Sequence, residues 1–415
     1  MSAASVRLLS LLALAGLGCG VQELAILDGP SADGGPAIDA GARDAGRDAG
    51  AVDAAMPDEG FGRRVAAGRA HSCALRDDGI WCWGGDGAGQ LGLSPSGDRT
   101  RPERVELPPR AWRSVLAGAA HTCARDAAGA VWCWGRNDLG QLGQGDFEPR
   151  SGPVEVALPA PVAQLGVGEN HACAILTNGQ LHCWGHNYEG QLGLDDLFGA
   201  GDVPEPTRVG TESDWEQVDG HQGHSCGVRM QGTLHCWGRN TESQLGLGPS
   251  GPIQRRFPTP VPDARWLAAS PGQSHSCGID AAGALHCWGS NGSFQLGTGD
   301  REPRDVPTRT FEGPVVQLDT DTFHGCAVTP DEAMRCWGRN VEGQLGTGDL
   351  MDLRAPTEVG ASVAWSEVAT GRFHTCARST DGRFFCTGEN SEGRLGTGDT
   401  ERRRDWTEVA FPDPR

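Results

Sequence analysis

Short runs in which apolar and polar residues alternate recur along most of the chain. The clearest lies in residues 171–185, HACAILTNGQLHCWG, where two alternating arms flank the turn residues 177–179 and predict a β-hairpin. A three-residue turn of this kind places Cys173 opposite Cys183. Directly opposed residues have Cβ atoms about 4.5–5.5 Å apart, near the spacing that a disulfide needs. The hairpin is therefore predicted to hold its two cysteines in bonding position.

Seven such hairpins follow one another with a period near 50 residues. Each begins with His-x-Cys, six of the seven second cysteines are followed by Trp-Gly, and all seven are then followed by Gln-Leu-Gly or a close variant. The first cysteines are Cys73, Cys123, Cys173, Cys226, Cys277, Cys326 and Cys376. The second are Cys82, Cys133, Cys183, Cys236, Cys287, Cys336 and Cys386. A fixed period built from short strands indicates a propeller or a solenoid.

Each repeat is predicted to contain four strands and no helix, because no stretch shows sustained helical periodicity. A run such as residues 365–368 comes first, the two hairpin arms follow, and a Pro-x-x-Val run such as residues 356–359 comes last. Only a short connection separates the last run of one repeat, such as residues 356–359, from the first run of the next repeat, such as residues 365–368. We therefore expect these two runs to pair in one sheet. By the same reasoning, residues 406–409 would pair beside residues 62–66 and close a ring.

The motif HxC…CWGxNxxGQLGxG resembles the regulator of chromosome condensation repeat family across residues 61–415. This resemblance implies an all-β fold, a seven-bladed β-propeller of four-stranded antiparallel blades. A closed ring suits seven near-equal repeats, because closure removes the end faces that an open stack exposes. The paired cysteines depart from the family, since its cytosolic and nuclear members generally lack them.

Residues 1–19 are predicted to be an export signal, with one charge and an apolar run too short to span a bilayer. Cleavage after Ala15 and cleavage before Cys19, in a sequence similar to a bacterial lipoprotein box, are both open. Seven pairs among fifteen cysteines leave Cys19 alone, which favours its lipidation. Residues 20–60 are rich in Asp, Ala, Gly and Pro, and they predict a disordered acidic linker.

The predicted pairing of the cysteines indicates the cellular compartment of the protein. Disulfides persist outside reducing compartments, and we expect seven of them here. Zinc ligand pairs usually lie two to four residues apart, whereas these cysteines are nine or ten apart, and buried thiols are the other alternative. With the signal segment, this predicts a lipoprotein of the bacterial cell envelope that meets the membrane through its lipid anchor only.

The repeated polar and aromatic residues are interpreted as structural. The seven histidines should lie between blades, hydrogen-bonded to backbone, rather than form a ring of metal ligands. The tryptophans should pack blade on blade. Gly-x-Gly-Asp sequences, ending at Asp146, Asp300, Asp349 and Asp399, favour ordinary turns over calcium sites, since one carboxylate per repeat is too few. No cofactor is expected.

Function is less directly encoded. No nucleophile, base and orienting group recur at a recognisable spacing, so we do not expect an enzyme. A net charge of −19 argues against nucleic acid as a partner. The leading hypothesis is a monomeric scaffold that binds a protein or polysaccharide at the cell envelope. The alternatives are a secreted inhibitor resembling the propeller-type β-lactamase inhibitor and, third, an envelope hydrolase.

The loops after Gln-Leu-Gly vary in length and collect arginines, so they are the candidate binding surface. An ordinary solvated rim of mixed charge is the competing interpretation. The candidate binding residues are Arg99, Arg101, Arg150, Arg255, Arg256, Arg301, Arg304, Arg354, Arg402, Arg403 and Arg404.

Overall fold

Seven four-stranded antiparallel sheets make up the described part of a computed structural model, namely residues 63–94, 96–195, 201–262 and 264–412. No α-helix occurs in these ranges, and accordingly no helix there is long and apolar enough to cross a membrane. The predicted signal segment, Cys19 and the linker lie outside the described residues. The all-β, seven-bladed prediction is confirmed.

The strands are numbered in chain order, and each successive group of four forms one blade. Their bounds are β1 Val65–Ala67, β2 His71–Arg76, β3 Gly79–Gly84, β4 Arg99–Arg104, β5 Trp112–Ala117, β6 His121–Asp126, β7 Val131–Gly135, β8 Arg150–Glu155, β9 Val162–Val167, β10 His171–Leu176, β11 Leu181–Gly185, β12 Val203–Arg208, β13 Trp215–Gly220, β14 His224–Arg229, β15 Thr233–Arg239, β16 Gln254–Pro260, β17 Trp266–Pro271, β18 His275–Asp280, β19 Leu285–Gly289, β20 Arg304–Phe311, β21 Gln317–Thr320, β22 His324–Val328, β23 Met334–Gly338, β24 Leu353–Val359, β25 Trp365–Thr370, β26 His374–Ser379, β27 Phe384–Gly388 and β28 Arg403–Glu408.

The second and third strands of every blade form the predicted hairpin. Their register sets the first cysteine opposite the second in all seven blades, as Cys173 is opposite Cys183. All seven pairs are joined as disulfides, with Cα atoms 4.1–4.2 Å apart. Each bond closes a loop of about ten residues. In the chain-entropy description, it lowers the entropy of the unfolded chain and so stabilises the fold by roughly 2–3 kcal/mol.

The fourth strands begin earlier than the Pro-x-x-Val runs suggest. In the first blade β4 starts at Arg99, and Pro102 falls at a register shift between Cys82 and Gly84, where strand pairing is interrupted. Proline lacks the N–H that a regular ladder requires, so a bulge accommodates it without losing a hydrogen bond.

Ring closure differs from the expectation. β28 pairs with β27 and β1 pairs with β2, so each sheet coincides with one sequence repeat, and the predicted pairing of residues 406–409 with 62–66 is wrong. The first strands of neighbouring blades contact one another in a closed circle, β1 meeting both β5 and β25. The connection from β24 to β25 therefore passes from the outer edge of one blade to the inner edge of the next, and strands adjacent in sequence cannot pair.

The apolar core lies between adjacent blades. One cluster, for example, joins Leu116 and Val131 of the second blade to Ala174 and Trp184 of the third. The repeated tryptophans are fully buried in these interfaces, as the sequence predicts. In six blades the Trp Nε1–H also donates to a carbonyl of the preceding blade, as Trp134 does to Gln90 O at 3.0 Å.

The repeated histidines cross the same interfaces, but their partners are hydroxyls rather than the expected backbone. His71 Nε2 lies 2.9 Å from Thr122 Oγ1, and this hydroxyl donates at 2.8 Å to Gln90 O. Because the hydroxyl proton is used in that bond, the imidazole N–H must be the donor to it. The equivalent pairs are His171–Ser225, His224–Ser276, His324–Thr375 and His374–Ser72. The last pair closes the ring between the seventh and first blades.

Two interfaces lack this hydroxyl. Ala172 and Gly325 stand where the other blades have Ser or Thr, and the buried Nε2 atoms of His121 and His275 have no hydrogen-bond partner among the described residues. Both interfaces therefore contain an unsatisfied imidazole Nε2 atom, whereas the Nε2 atom is hydrogen-bonded to a hydroxyl in the other five.

Candidate functional site

The ring has two ends, which differ in the loops that they carry. Strands alternate in direction, so the loops from first to second strand and from third to fourth strand, such as residues 118–120 and 136–149, lie at the same end. We call this end the loop face. The hairpin turns and the connections between blades lie at the opposite end, the hairpin face.

Two positions near the axis of the loop face depart from the repeat in blades four and six only. The residue directly after the first strand is glycine in five blades, whereas it is His221 in blade four and Asp321 in blade six. Two residues earlier, opposite the first cysteine, the same two blades have Asp219 and Asp319. The equivalent residues in the other blades are Ala66, Leu116, Gly166, Ser270 and Ala369, none of them charged.

A guanidinium joins the two aspartates across the axis. Arg63, which precedes β1, contacts Asp219 Oδ2 at 3.1 Å and is hydrogen-bonded to Asp319. Burial by itself lowers the pKa of Arg63, but the charges of Asp319 and Asp219 outweigh it and raise that pKa. Burial raises the pKa of Asp219 to about 6, although Arg63 partly opposes this effect. Asp319 is held further by the amide and hydroxyl of Thr370, at 2.6 and 2.9 Å.

A second ion pair lies at the mouth of the axis. His221 Nε2 is 3.3 Å from Asp321 Oδ2, and the pair connects blade four to blade six past the glycine of blade five. Burial alone lowers the pKa of His221, but the charge and hydrogen bond of Asp321 outweigh it and raise the pKa to about 9. Burial alone raises the pKa of Asp321, and His221 reverses this, so the pKa falls well below its usual value. The pair is therefore ionised at neutral pH.

Both ion pairs line a cavity of about 60 Å³ on the axis. Arg63 and Asp219 also line a second cavity of about 210 Å³ toward the hairpin face. No group of three or more His, Cys, Asp or Glu side chains in the described ranges is arranged to hold a metal ion. These five side chains, which we call the axial cluster, place two cationic and three acidic groups around the axis and break the sevenfold symmetry of the ring.

The eleven predicted arginines lie around the rim of the loop face, dispersed over several blades. Nine are in fourth strands, and Arg301 and Arg402 are in the loops just before them. Arg150, Arg304 and Arg403 occupy equivalent positions, and each binds an aspartate four residues earlier in its own loop. These three therefore stabilise the loops that carry them.

The other rim arginines have varied neighbours. Arg99 donates to Gly97 O at 2.6 Å and pairs with Glu103, Arg402 pairs with Glu342, and Arg101 packs close to Gly398. Arg301 and Arg354 lie over the ring of Phe294, and Arg255 lies over Phe257. Arg256 and Arg404 lie within β16 and β28. Ligand binding by these arginines stays a prediction.

The turn interpretation agrees with the contacts at Asp300. Its Oδ1 accepts from Glu302 N at 3.0 Å and from Thr298 Oγ1 at 3.0 Å, as in an Asx turn. The axial cluster was not among the sequence predictions. Superimposing the seven repeats and looking for charge where most have glycine or a small residue would have found it.

With the fold and site described, the comparisons define the class of protein. Residues 45–310 match the RCC1-like domain, and residues 336–378 and 365–394 match the regulator of chromosome condensation (RCC1) repeat. The chain belongs to the RCC1-like family of β-propellers.

Among curated relatives, the ultraviolet-B receptor UVR8 of Arabidopsis thaliana is 30% identical over 250 residues, 59% of this chain and 45% of that protein. The E3 ubiquitin-protein ligase HERC2 of Homo sapiens is 27% identical over 265 residues, 59% of this chain but 5% of the ligase. The chain thus spans less than half the length of either relative.

Solved structures agree on the fold. The yeast protein Prp20p, from Saccharomyces cerevisiae, aligns with a TM-score of 0.73 at 21% identity, covering 85% of this chain and 88% of that one. Human WBSCR16 gives 0.69 at 21% identity, covering 77% and 88%. The Prp20p structure is described together with its binding to Gsp1p and histones.

Proposed function

We propose that this protein is a non-catalytic scaffold whose loop face binds a partner protein. The family supports a binding role, since Prp20p is described as binding Gsp1p and histones. The match to HERC2 covers 5% of that ligase, so its activity does not transfer to this chain. A shared propeller does not identify the partner, which must be argued from the surface.

The observation that carries the proposal is the asymmetry at the axis of the loop face. The fold needs only glycine at the positions of His221 and Asp321, because five blades manage with it. Charged side chains buried there cost desolvation energy, which their mutual attraction repays only in part. A partner that must dock in one orientation gives a reason for retaining them.

We further propose that the scaffold is anchored at a cell envelope through Cys19. Seven disulfides in one domain suit an oxidising compartment, and a fifteenth, unpaired cysteine suits lipidation. A polysaccharide ligand and an enzyme-inhibitor role belong to the same proposal as alternatives.

Site-specific photo-crosslinking in the source cells tests which face binds. A photo-reactive amino acid replaces Ala119, which lines the axial cavity on the loop face, or Ala128, an exposed turn residue of the same blade on the hairpin face. We expect one protein to crosslink from position 119 and not from position 128. The double variant His221→Gly and Asp321→Gly, which restores the glycine of the other repeats, should lower that yield several-fold.

Equal crosslinking from both positions, or none from position 119, would falsify the loop-face assignment. An enzyme recovered in near-stoichiometric yield would favour the inhibitor alternative. Carbohydrate in place of protein would favour the polysaccharide alternative.

A further inference from the structure

Two phenylalanines interrupt the repeat on the loop face. The residue before the repeated histidine is small or polar in five blades, namely Ala70, Ala120, Asn170, Gly223 and Ser274. In blades six and seven it is Phe323 and Phe373, both partly exposed. Their rings lie parallel within 17° and their centroids are 6.1 Å apart. The fold does not need an aromatic side chain at this position.

An arginine covers each ring. The guanidinium of Arg339 lies 4.9 Å from the centre of Phe323, and that of Arg372 lies 5.2 Å from the centre of Phe373. We call these four residues the Phe–Arg strip. Arg372 also lines the axial cavity beside Arg69, so the strip extends from the rim toward the axis.

The arginines of the strip have no acidic partner in the part of the chain that the structure describes. Within the described ranges neither Arg339 nor Arg372 forms an ion pair, and the buried Arg372 Nε has no hydrogen-bond acceptor. Elsewhere on this face, Arg136 pairs with Asp138 and Arg402 with Glu342, whereas Arg239 donates to the hydroxyl of Thr241. Uncompensated positive charge is notable in a chain with a net charge of −19.

The arrangement of the rings limits what can bind. One face of each ring is covered by a guanidinium and the rings stack on each other, so little ring face is free to stack on a sugar or a nucleobase. The ring edges, which carry partial positive charge, and the guanidinium N–H groups remain available. Both favour carboxylates, and an arginine can bind a carboxylate through two parallel hydrogen bonds.

We propose that the Phe–Arg strip binds an acidic segment of a partner protein, whose carboxylates replace the missing partners of Arg339 and Arg372. This inference rests on the proposed function, because it places part of the partner's contact on the loop face. It differs from the rim hypothesis in naming two blades and the chemistry of the bound segment.

Fluorescence anisotropy with the full-length protein and a labelled decaglutamate peptide, at about 50 mM and 150 mM salt, tests the proposal. We expect the double variant Arg339→Gln and Arg372→Gln to bind the peptide at least tenfold more weakly than the wild type. Phe323→Ala with Phe373→Ala should weaken it several-fold, and these proteins should fold, because blades one and two carry alanine at this position. Raising the salt should weaken wild-type binding, since the contact is ionic.

The matched control is Arg136→Gln with Arg239→Gln. These arginines follow the same Trp-Gly as Arg339, in blades without the phenylalanines, and the charge change is identical. The control should change the affinity less than threefold. Equal weakening by control and strip variants would overturn the proposal, as would no wild-type binding at 50 mM salt.

Two further outcomes would reassign the surface. Tighter binding of polygalacturonate than of polyglutamate would overturn the assignment to a protein segment. A wild-type dimer in sedimentation, abolished by the strip variants, would assign the strip to self-association. Crosslinking from position 119 that persists unchanged in the strip variants would refute the strip while leaving the proposed function intact.

Discussion

The interblade histidines predict a steep loss of stability in mild acid. Burial disfavours the imidazolium and lowers the pKa of all seven. It falls to about 3 for His71, His171 and His275, to about 4 for His121 and His324, and well below 6.5 for His224 and His374. Lowering the pH from 6.5 to 5.5 therefore protonates these residues in the unfolded chain and leaves them neutral in the folded ring.

The sign follows from the direction of the shifts. Groups whose pKa is lowered on folding contribute stability that is complete above the unfolded pKa, near 6.5, and is lost as the pH falls below it. Over this unit of pH, the contribution of each histidine to the free energy of unfolding falls by about 1 kcal/mol, and that of all seven falls by about 7 kcal/mol. Asp219 and His221, with pKa values raised to about 6 and 9, bind protons in the folded state. They offset about 1 kcal/mol of the loss.

Proton uptake on unfolding measures the effect directly. Urea unfolding at pH 5.5 in weakly buffered solution should consume about six protons per molecule through these histidines, since about nine in ten are protonated in the unfolded chain. His121→Leu removes a ring that has no hydrogen-bond partner among the residues described, and it should reduce the uptake by about one proton. Uptake of fewer than about three protons, or equal urea midpoints at pH 6.5 and 5.5, would refute the reasoning.

Three further expectations concern interfaces, cysteines and the anchor. Ala172→Ser should raise stability by about 1 kcal/mol, because the introduced hydroxyl can accept from His121, and a lower unfolding midpoint would contradict this. Gly325→Ser should instead destabilise by roughly 1–3 kcal/mol, because its Cβ would come within 2.6 Å of the Trp337 ring. When the oxidised protein is alkylated before mass analysis, the fourteen paired cysteines should not react, because they are disulfide-bonded. Free thiols at several of them would contradict an exported domain. Cys19→Ala should move the protein from the detergent phase to the soluble fraction, whereas a mature protein cleaved after residue 15 with a free Cys19 would exclude the lipid anchor.

The sequence by itself determined the features that depend on neighbouring residues. The turn at 177–179 sets the register of its hairpin, so the opposition of Cys173 and Cys183 follows from local geometry. The recurrence of the motif determined the number of repeats, and the family resemblance implied that they form a closed ring of seven blades. The burial of the tryptophans followed in the same way, because a large apolar side chain at the same place in six repeats must lie in a repeated interface.

Only the tertiary structure decided how the repeats meet. The short link between β24 and β25 gave no sign that it joins an outer to an inner edge, because that depends on where the axis lies. The hydroxyl partner of His71 is Thr122, about 50 residues away, and no local pattern connects them. Arg63 and Asp319 are 256 residues apart in the sequence and meet across the axis. Such contacts depend on closure of the ring, which brings together residues that no local periodicity relates.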